Sequence, residues 1–226
     1  MAASKPKWAT VKTTLPARPL PLNASRSPVT TDSLLIRPLV PEDARSLHIL
    51  RTQPEVMANS PQGRPDKDLE ETQQRLSPFL SPNDEKTFNC AICLKDTGEL
   101  IGIGGCHQLV SMFGWPAIGY MIRTEFWGQG LATEFVKAWL ESWCELPRAE
   151  AELEIDRRTL LSDEDEESSP EQVTAFTLVD NIGSQRVLEK AGFERFLTWE
   201  EADLRDPALQ VTLIGYRYVL GDHLRN

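Results

Sequence analysis

Residues 120–134 read Tyr120-Met121-Ile122-Arg123-Thr124-Glu125-Phe126-Trp127-Gly128-Gln129-Gly130-Leu131-Ala132-Thr133-Glu134. A short apolar strand meets a Gly-x-Gly turn here, and a helix follows because Leu131, Phe135 and Trp139 recur every four residues. The unpaired N–H groups of the first helical turn point at one place, where the helix dipole adds positive potential. The two glycines let the backbone approach an anion closely. The segment therefore predicts a phosphate-binding or pyrophosphate-binding turn.

Two other kinds of phosphate-binding loop do not fit this turn. A dinucleotide fingerprint needs a third small residue at the last position of Gly-x-Gly-x-x-Gly, where this chain has Thr133, and a P-loop needs Gly-Lys-Ser/Thr. The strand before the turn also ends an antiparallel meander, whereas dinucleotide sites lie in repeated parallel βαβ units. An oxidoreductase on a dinucleotide-binding fold is therefore disfavoured.

The flanking segments predict a mixed α/β fold around one sheet. The polar loop 95–99 between two apolar runs indicates a hairpin, and the third run leads into the glycine turn. The predicted strands are Leu34–Leu39, Thr87–Leu94, Leu100–Leu109, Pro116–Ile122, Ala151–Ile155, Val173–Val179, Phe193–Trp199 and Val211–Val219. Helices are predicted to begin at Pro41, Asp68, Leu131 and Asn181.

The composition excludes some classes of partner. The chain has 226 residues, 40% of them hydrophobic, and no apolar run near the ~20 residues that cross a bilayer, so no membrane insertion is expected. Its net charge of -10 opposes binding to nucleic acid, which needs clustered Lys and Arg. The charge has two interpretations: it favours a cationic acceptor, or it only keeps the protein soluble.

The four cysteines are Cys90, Cys93, Cys106 and Cys144. A Cys-x-x-Cys pair can be a redox centre or half of a zinc site. Cys90 and Cys93 lie in a predicted buried strand, with no second Cys/His pair at zinc spacing and no helix that opens at Cys90. We interpret them as core thiols, and we expect no metal and a reducing, cytoplasmic compartment.

Two segments lie outside the predicted core. Prolines interrupt residues 1–32 and prevent a continuous helix, so an extended or disordered N-terminal arm is expected. Residues 33–221 form the predicted domain, with an insertion at about 160–171 that contains the acidic tract 163–167. A solvated loop is one interpretation of this tract because like charges repel, and steering of a charged substrate is the other.

Two signatures in the sequence occur in a recognisable order. The first is Ile118-Gly119-Tyr120 followed by Phe126-Trp127-Gly128-Gln129-Gly130-Leu131-Ala132-Thr133-Glu134. The second is Asp180-Asn181-Ile182-Gly183-Ser184-Gln185-Arg186-Val187-Leu188-Glu189-Lys190-Ala191-Gly192-Phe193, in which Asn-x-x-Ser opens a helix that ends in Gly-Phe. With Leu34–Leu39 as a first strand, the chain resembles the GNAT superfamily of acetyl-CoA dependent N-acetyltransferases over Leu34–Val219. It is most similar to the branch that includes the Rim-type acetylases of ribosomal-protein N-termini.

The resemblance implies a central, mostly antiparallel sheet whose fourth and fifth strands, Ala117–Ile122 and Val173–Val179, splay apart around the pantetheine arm of acetyl-CoA. Backbone atoms of Met121 and Ile122 would then meet pantetheine. Asn181 would contact the cofactor arm, and Ser184 would lie near the thioester sulfur. The residues implied to cradle the pyrophosphate are Gly128, Gln129, Gly130, Leu131, Ala132 and Thr133.

The implied reaction is direct attack of a neutral amine on the thioester in a ternary complex. A strand N–H near Met121 would stabilise the oxyanion, and Ser184 would donate a hydrogen bond to the leaving sulfur. A second interpretation is that Ser184 supports its helix and Asn181 caps it. An alkylamine is mostly protonated at pH 7, so the reaction also needs a proton acceptor.

The resemblance leaves that proton acceptor unassigned. Ala117 occupies the position before Ile-Gly-Tyr, where members of the branch often carry Glu. His107 is the leading substitute, because it follows a strand that should border the acceptor cleft and histidine titrates near neutrality. A structural role for His107 is the alternative, and Tyr120, Glu125, Asp180 or a water chain are other candidates for the base.

The acceptor is expected to be a small amine or a peptide N-terminus, and an alcohol acceptor stays open. The sequence also leaves open an acyl group longer than acetyl and the choice between monomer and homodimer. Phe113, Trp115 and Trp127 either line the acceptor pocket or pack in the core. The competing function is a non-catalytic sensor that binds acyl-CoA. Ala117 slightly favours the sensor, whereas Asn181 and Ser184 favour the enzyme more, because a sensor needs no group beside the sulfur.

Overall fold

The computed structural model describes residues 7–162 and 167–221. The strands are β1 Trp8–Pro16, β2 Val29–Thr30, β3 Leu34–Pro38, β4 Phe88–Leu94, β5 Leu100–Gln108, β6 Ala117–Ile122, β7 Arg148–Asp156, β8 Gln172–Leu178, β9 Glu194–Ala202 and β10 Gln210–Val219. The α-helices are α1 Ala44–Arg51, α2 Pro54–Met57, α3 Leu69–Leu76, α4 Leu131–Cys144 and α5 Ile182–Lys190.

The main sheet has eight strands in the order β2-β3-β4-β5-β6-β8-β10-β9. Its neighbouring strands are antiparallel except for β6 and β8, which are parallel. The predicted mixed α/β fold with a mostly antiparallel sheet is therefore confirmed.

The helices α4 and α5 lie on one face of this sheet. The α4 side chains Phe135, Trp139 and Trp143 are buried, and the ring centroids of the two tryptophans are 5.1 Å apart. Trp139 Nε1 also donates to the carbonyl of Phe88 at 3.0 Å, which satisfies its polar atom inside the core. This is the apolar stripe that the four-residue spacing predicts.

The helices α1, α2 and α3 lie on the opposite face. Leu47 and Leu50 of α1 belong to one apolar cluster with Ile103 of β5, and Met121 of β6 packs against it. The sheet is therefore the middle layer between two helical layers. Residues of β6 alternate between the two layers, because successive side chains of a strand point to opposite faces.

The strand predicted at Ala151–Ile155 does not join the main sheet. It belongs to β7, which pairs with β1 in a separate antiparallel two-stranded ribbon. Val11 of β1 and Ile155 of β7 are buried in one cluster with Trp115. The expectation of a single sheet was wrong here, because the apolar face of β7 has its own partner in the N-terminal segment.

Residues 7–32 are extended and packed onto the domain instead of forming a free arm. In β1, Ala9, Val11 and Leu15 are buried at alternate positions, as a half-buried strand requires. Farther along, the Arg26 guanidinium donates to the carbonyl oxygens of Asp84 and Thr87, each at 2.7 Å. These contacts fix a proline-rich segment in which Asn23–Ser25 form a short 3-10 helix.

The acidic tract lies largely outside the described residues, because these stop at 162 and resume at 167. On its C-terminal side, the carbonyl of Glu167 accepts the N–H of Lys12 at 3.0 Å, and Ser169 N–H donates to the carbonyl of Lys12 at 2.9 Å. The insertion is thereby attached to the outer edge of β1.

The four cysteines are free thiols, and Cys90, Cys93 and Cys106 are buried. Burial raises the pKa of Cys90 and Cys106 to about 12, so these thiols stay protonated and unreactive. Within residues 7–162 and 167–221, no group of three or more His, Cys, Asp or Glu side chains is placed to hold a metal ion. No helix in these ranges has the length and apolar character to cross a membrane.

Candidate functional site

The two parallel strands of the main sheet enclose a V-shaped cleft. They are paired at a single position, Ala117 opposite Thr174, where Thr174 N–H donates to the carbonyl of Pro116 at 2.8 Å. Beyond this point β6 runs to Ile122 and β8 runs to Leu178 without further pairing between them. The strands that the sequence resemblance implied to be splayed are therefore separated over most of their length.

Backbone groups of Tyr120 and Ile122 face this cleft from β6. Arg123 N–H bonds the carbonyl of Ile101, and bonded pairs alternate along an antiparallel ladder, so Met121 makes its backbone bonds to β5. The N–H and C=O of Tyr120 and Ile122 then point toward β8. Of the two residues expected to offer backbone atoms here, Ile122 faces the cleft and Met121 does not.

The same alternation places Phe176 and Leu178 of β8 on the other side of the cleft. Val179 N–H bonds the carbonyl of Thr212, which fixes the phase of the β8–β10 ladder. An extended chain between the two strands would therefore meet free backbone groups on both edges. Sequence reasoning did not identify Tyr120, Phe176 and Leu178 in this role, although the period of two along a strand was the available signal.

The glycine turn lies directly after the open end of β6. Gly128 and Gly130 have φ of 74° and 84°, and a Cβ built on either would meet no atom within 4 Å. The first bond of α4 is from Glu134 N–H to the carbonyl of Gly130. Among the described residues, the N–H groups of residues 128–133 have no hydrogen-bond acceptor. The turn is thus an open, positively polarised site at a helix N-terminus.

Trp127 stands beside this turn with 47% of its surface exposed. Its Nε1 donates to the carbonyl of Ile122 at 2.6 Å, at the open end of β6. The other two aromatic residues, Phe113 and Trp115, are fully buried, and Trp115 Nε1 donates to Thr159 Oγ1 at 2.8 Å. Phe113 and Trp115 are core residues and do not line an open pocket.

Asn181 and Ser184 lie where α5 begins, across the cleft from β6. Asn181 Oδ1 accepts the N–H of Ser184 at 3.1 Å, so Asn181 caps the helix. The Tyr120 hydroxyl donates to the carbonyl of Ser184 at 3.3 Å, which places this side chain across the cleft. Burial raises the pKa of Tyr120, so its phenol stays protonated at neutral pH and can donate a proton.

His107 occupies a β-bulge, and its ring lies on the face of the sheet opposite to α4 and α5. In the β5–β6 ladder Cys106 pairs with Ile118 and Gln108 pairs with Ala117, which leaves His107 as the extra residue. A Cβ on Gly119 would lie 3.2 Å from His107 Cε1, so glycine leaves room for the ring.

His107 is an exposed residue, although protein atoms crowd its imidazole. Partial desolvation lowers the pKa of His107, although a hydrogen bond to the backbone of Gly105 opposes this shift. The ring is therefore mostly neutral at pH 7 and can accept a proton.

The other candidate bases are placed less favourably. Hydrogen bonds from Arg123 and Gln53 lower the pKa of Glu125 to about 2, and Arg123 Nη2 lies 2.9 Å from Glu125 Oε1. Glu125 is therefore a structural anion. Asp180 is exposed at the end of β8, and Ala117 is buried without a proton-accepting group.

The comparisons with known proteins agree with this geometry. The family described as acetyltransferase (GNAT) domain matches residues 33–194. The solved structure of a GNAT-family acetyltransferase from Bacillus anthracis is 18% identical with a TM-score of 0.62, covering 85% of this chain and 98% of that one. Ribosomal-protein-S5-alanine acetyltransferase from Vibrio fischeri is 14% identical with a TM-score of 0.63, covering 87% of this chain and 98% of its own.

A third similar structure is the microcin C7 self-immunity acetyltransferase in complex with acetyl-CoA and AMP, at 14% identity and a TM-score of 0.63. It is covered over 94% of its length, and 84% of this chain is covered. A search of curated proteins gives no significant match. The matched domain spans more than half of the chain, so this protein belongs to the GNAT acetyltransferase family.

Proposed function

We propose that this protein transfers the acetyl group of acetyl-CoA to a primary amine, of a small molecule or of a peptide, by direct attack in a ternary complex. The observation that carries the proposal is the separation of β6 from β8 after one paired position. This gap has free backbone groups on both edges and ends at the free N–H groups of the glycine turn. It offers an extended amide-containing arm and an attached pyrophosphate their complementary partners.

The residues of the cleft would contact acetyl-CoA in order along its length. The N–H groups of residues 128–133 would hold the pyrophosphate, where the absence of side chains on Gly128 and Gly130 leaves open space. Backbone groups of Tyr120, Ile122 and Phe176 would pair with the amides of the pantetheine arm. Bound in this way, acetyl-CoA would supply an activated thioester, and Ser184 would lie beside its sulfur.

The two faces of the sheet would divide the proton chemistry. His107, on the face opposite to α4, would accept the proton that the amine loses, because its lowered pKa keeps the ring neutral at pH 7. Tyr120 and Ser184 lie on the other side and would donate hydrogen bonds or a proton to the leaving sulfur. The capping bond of Asn181 would hold Ser184 in place for this role.

The proposed acceptor class follows from the chemistry of the site and from the relatives. A thioester reacts with a neutral amine, and one similar structure is named as a ribosomal-protein alanine acetyltransferase. The competing proposal is an acyl-CoA sensor, which would bind the same ligand without turnover. Tyr120 and Ser184 beside the cleft favour the enzyme, because binding alone needs no proton donor there.

The test measures thiol release from acetyl-CoA with a panel of primary amines and N-terminal peptides, together with thermal stabilisation by acetyl-CoA, NAD and ATP. Stabilisation by acetyl-CoA alone and thiol release with at least one amine are the expected results. Stabilisation without thiol release across the panel would support the sensor. No stabilisation by acetyl-CoA would refute both.

A further inference from the structure

The ribbon formed by β1 and β7 presents an uncovered strand edge. The backbone of Lys12 points to the outer side of β1, because its N–H donates to the carbonyl of Glu167 at 3.0 Å and its carbonyl accepts from Ser169 N–H at 2.9 Å. Lys12 and its register partner Glu152 are therefore a non-hydrogen-bonded pair. The backbone groups of Glu152, and those of Glu150 two residues earlier, then point away from β1 along the outer side of β7.

In the part of the chain that the structure describes, these outward groups of β7 have no partner. No group outside the ribbon bonds the backbone N–H or C=O of Glu150 or Glu152, and both residues are exposed. We call these outward N–H and C=O groups the free edge. An unpaired strand edge is a template that an extended chain can join through backbone hydrogen bonds. The free edge is therefore a candidate docking site for a peptide strand.

A row of acidic side chains runs beside the free edge. Glu150, Glu152 and Glu154 share the exposed face of the ribbon, about 7 Å from one to the next, because alternate residues of a strand point the same way. Among the described residues, no Lys, Arg or His forms an ion pair with any of the three. This negative charge is not neutralised within the described chain. Its complement is a strand with cations at alternate positions.

The other face of β7 determines which residues fit between those cations. Ala149 is exposed and Ala151 is half-buried, while Leu153 packs against the buried Val11 and Ile155. A strand on the free edge would place every second side chain beside these residues, because neighbours across a sheet share a face. This face offers apolar groups and no charge. The matching strand therefore alternates basic residues with small apolar ones.

One loop connects this edge of β7 with the paired end of the cleft. The carbonyl of Phe113, in the β5–β6 loop, accepts the N–H of Asp156 at 3.1 Å, just beyond the free edge. In the same loop, Ser111 Oγ lies 3.4 Å from Thr174 Oγ1. Thr174 is the residue of β8 that pairs with Ala117 of β6. The free edge and the paired end of the cleft therefore lie on two sides of the same loop.

We propose that the free edge binds, by strand addition, a segment of the acceptor in which basic residues alternate with small apolar ones. This inference rests on the proposed acetyl transfer, and it narrows the acceptor to a polypeptide. Backbone hydrogen bonds to Glu150 and Glu152 hold the segment, and the row of glutamates selects cations at alternate positions. Charge complementarity assigns the occupant, since the row is unpaired and the whole chain has a net charge of -10.

The first measurement is peptide binding without acetyl-CoA. A fluorescent peptide of about ten residues that alternates lysine with alanine is titrated with the protein, and its anisotropy is followed. We expect the Kd to rise with salt, and to rise about tenfold in Glu152→Lys. The control is Glu194→Lys, which makes the same charge change at an exposed residue of β9 and should bind as the wild type does. If Glu152→Lys also binds like the wild type, the inference is refuted and the glutamates only protect an exposed edge.

A second pair of variants separates strand addition from attraction between charges. Glu152→Pro removes an N–H of the free edge and no hydrogen bond to β1, whereas Glu152→Gln loses the same charge and keeps the N–H. The proline variant should bind the peptide about fivefold more weakly than the glutamine variant. N-methylation of the peptide repeats this test on an unaltered protein: methyl groups on one alternate set of residues should abolish binding, and those on the other set should not. Equal Kd values for the two methylated peptides would exclude strand addition.

An acetylation assay connects the free edge with the acceptor. Two peptides share an N-terminal alanine and a flexible glycine-serine linker, and they end either in the alternating lysine segment or in its glutamine counterpart. The lysine peptide should have a KM about tenfold lower at similar kcat, and Glu152→Lys should remove this difference without changing the KM of acetyl-CoA. Equal KM values in the wild type would overturn the assignment to the acceptor. If the wild type acetylates no amine, the transferase proposal fails, while the anisotropy titration still decides whether the free edge binds a basic strand.

Discussion

Gly130→Ala tests the anion-binding turn through a single methyl group. Gly130 has φ of 84° and no atom within 4 Å of an added Cβ, so the substitution brings backbone strain without a collision. For an L residue in the left-handed region this strain is about 1–2 kcal/mol. In a domain of this size each kcal/mol lowers Tm by roughly 2–4 °C.

The loss of acetyl-CoA affinity should exceed what the strain explains. The N–H groups of residues 128–133 converge only while Gly130 keeps its left-handed conformation, and relaxation of the strain turns some of them away. A hydrogen bond to a charged group contributes about 1.5–3 kcal/mol. Misaligning one such donor therefore weakens acetyl-CoA binding about ten- to hundredfold.

The matched control is Gly98→Ala, which has a φ of 70° in the β4–β5 turn and equally open surroundings. Calorimetric titration with acetyl-CoA and thermal unfolding without ligand are measured for both variants. Both should lose similar Tm, and only Gly130→Ala should lose affinity. Unchanged affinity in Gly130→Ala, or equal losses in the two variants, would refute the assignment of the turn.

Three further predictions concern single side chains. With His107 as the base, kcat/KM should rise with pH through a pKa below 6.5, because only the neutral ring accepts a proton. His107→Gln should abolish this rise and lower kcat/KM about a hundredfold. If the same rise persists in the variant, His107 is not the base. Tyr120→Phe should lower kcat about a hundredfold and leave the Kd of acetyl-CoA unchanged. Equal losses of kcat and of acetyl-CoA affinity would contradict a role in proton donation. Arg51 Nε and Asp66 Oδ2 form a buried ion pair at 2.6 Å, so Asp66→Asn leaves Arg51 without its charge partner. This change should lower the unfolding free energy by about 3 kcal/mol in urea titrations.

The pH dependence of stability gives Asp66 a second test. Burial raises the pKa of Asp66, but hydrogen bonds from Arg51, Gln62 and Thr72 outweigh it, so the net shift is downward. A carboxyl with a lowered folded pKa contributes stability above its unfolded value of about 4, and this is lost as the pH falls further. The unfolding free energy of Asp66→Asn should lack this loss at low pH. An identical fall of the unfolding free energy with pH in the variant and the wild type would contradict the role of Asp66.

The local spacing of apolar residues was sufficient to predict the helix α4 that packs on the sheet. The four-residue spacing of Phe135 and Trp139 predicted α4, and the structure buries these side chains. The glycine turn before α4 was also predicted, and the structure adds that Gly128 and Gly130 have φ of 74° and 84°, which glycine adopts without strain. The prediction of the family from two signatures is confirmed by the match over residues 33–194.

The second sheet could not be predicted in the same way. Alternate burial around Val11 is typical of a half-buried strand, but the prolines near β1 predicted an arm. The strand that pairs with β1 is β7, which lies far along the chain. Strand pairing between distant segments depends on which apolar faces remain uncovered after the rest has folded. Here β1 and β7 cover the apolar side chains of Trp115 and Phe113, which the main sheet alone would leave exposed.

The sequence by itself determined the class of chemistry, because a helix start with two glycines and an Asn-x-x-Ser helix are local features whose geometry the residue types dictate. Only the tertiary structure decided which backbone groups of β6 face the cleft, that His107 lies in a bulge over Gly119, and that Arg205 donates to the carbonyl of Ala58. These are contacts between segments remote in sequence. They depend on ladder register and on the packing of whole layers, which no local pattern encodes.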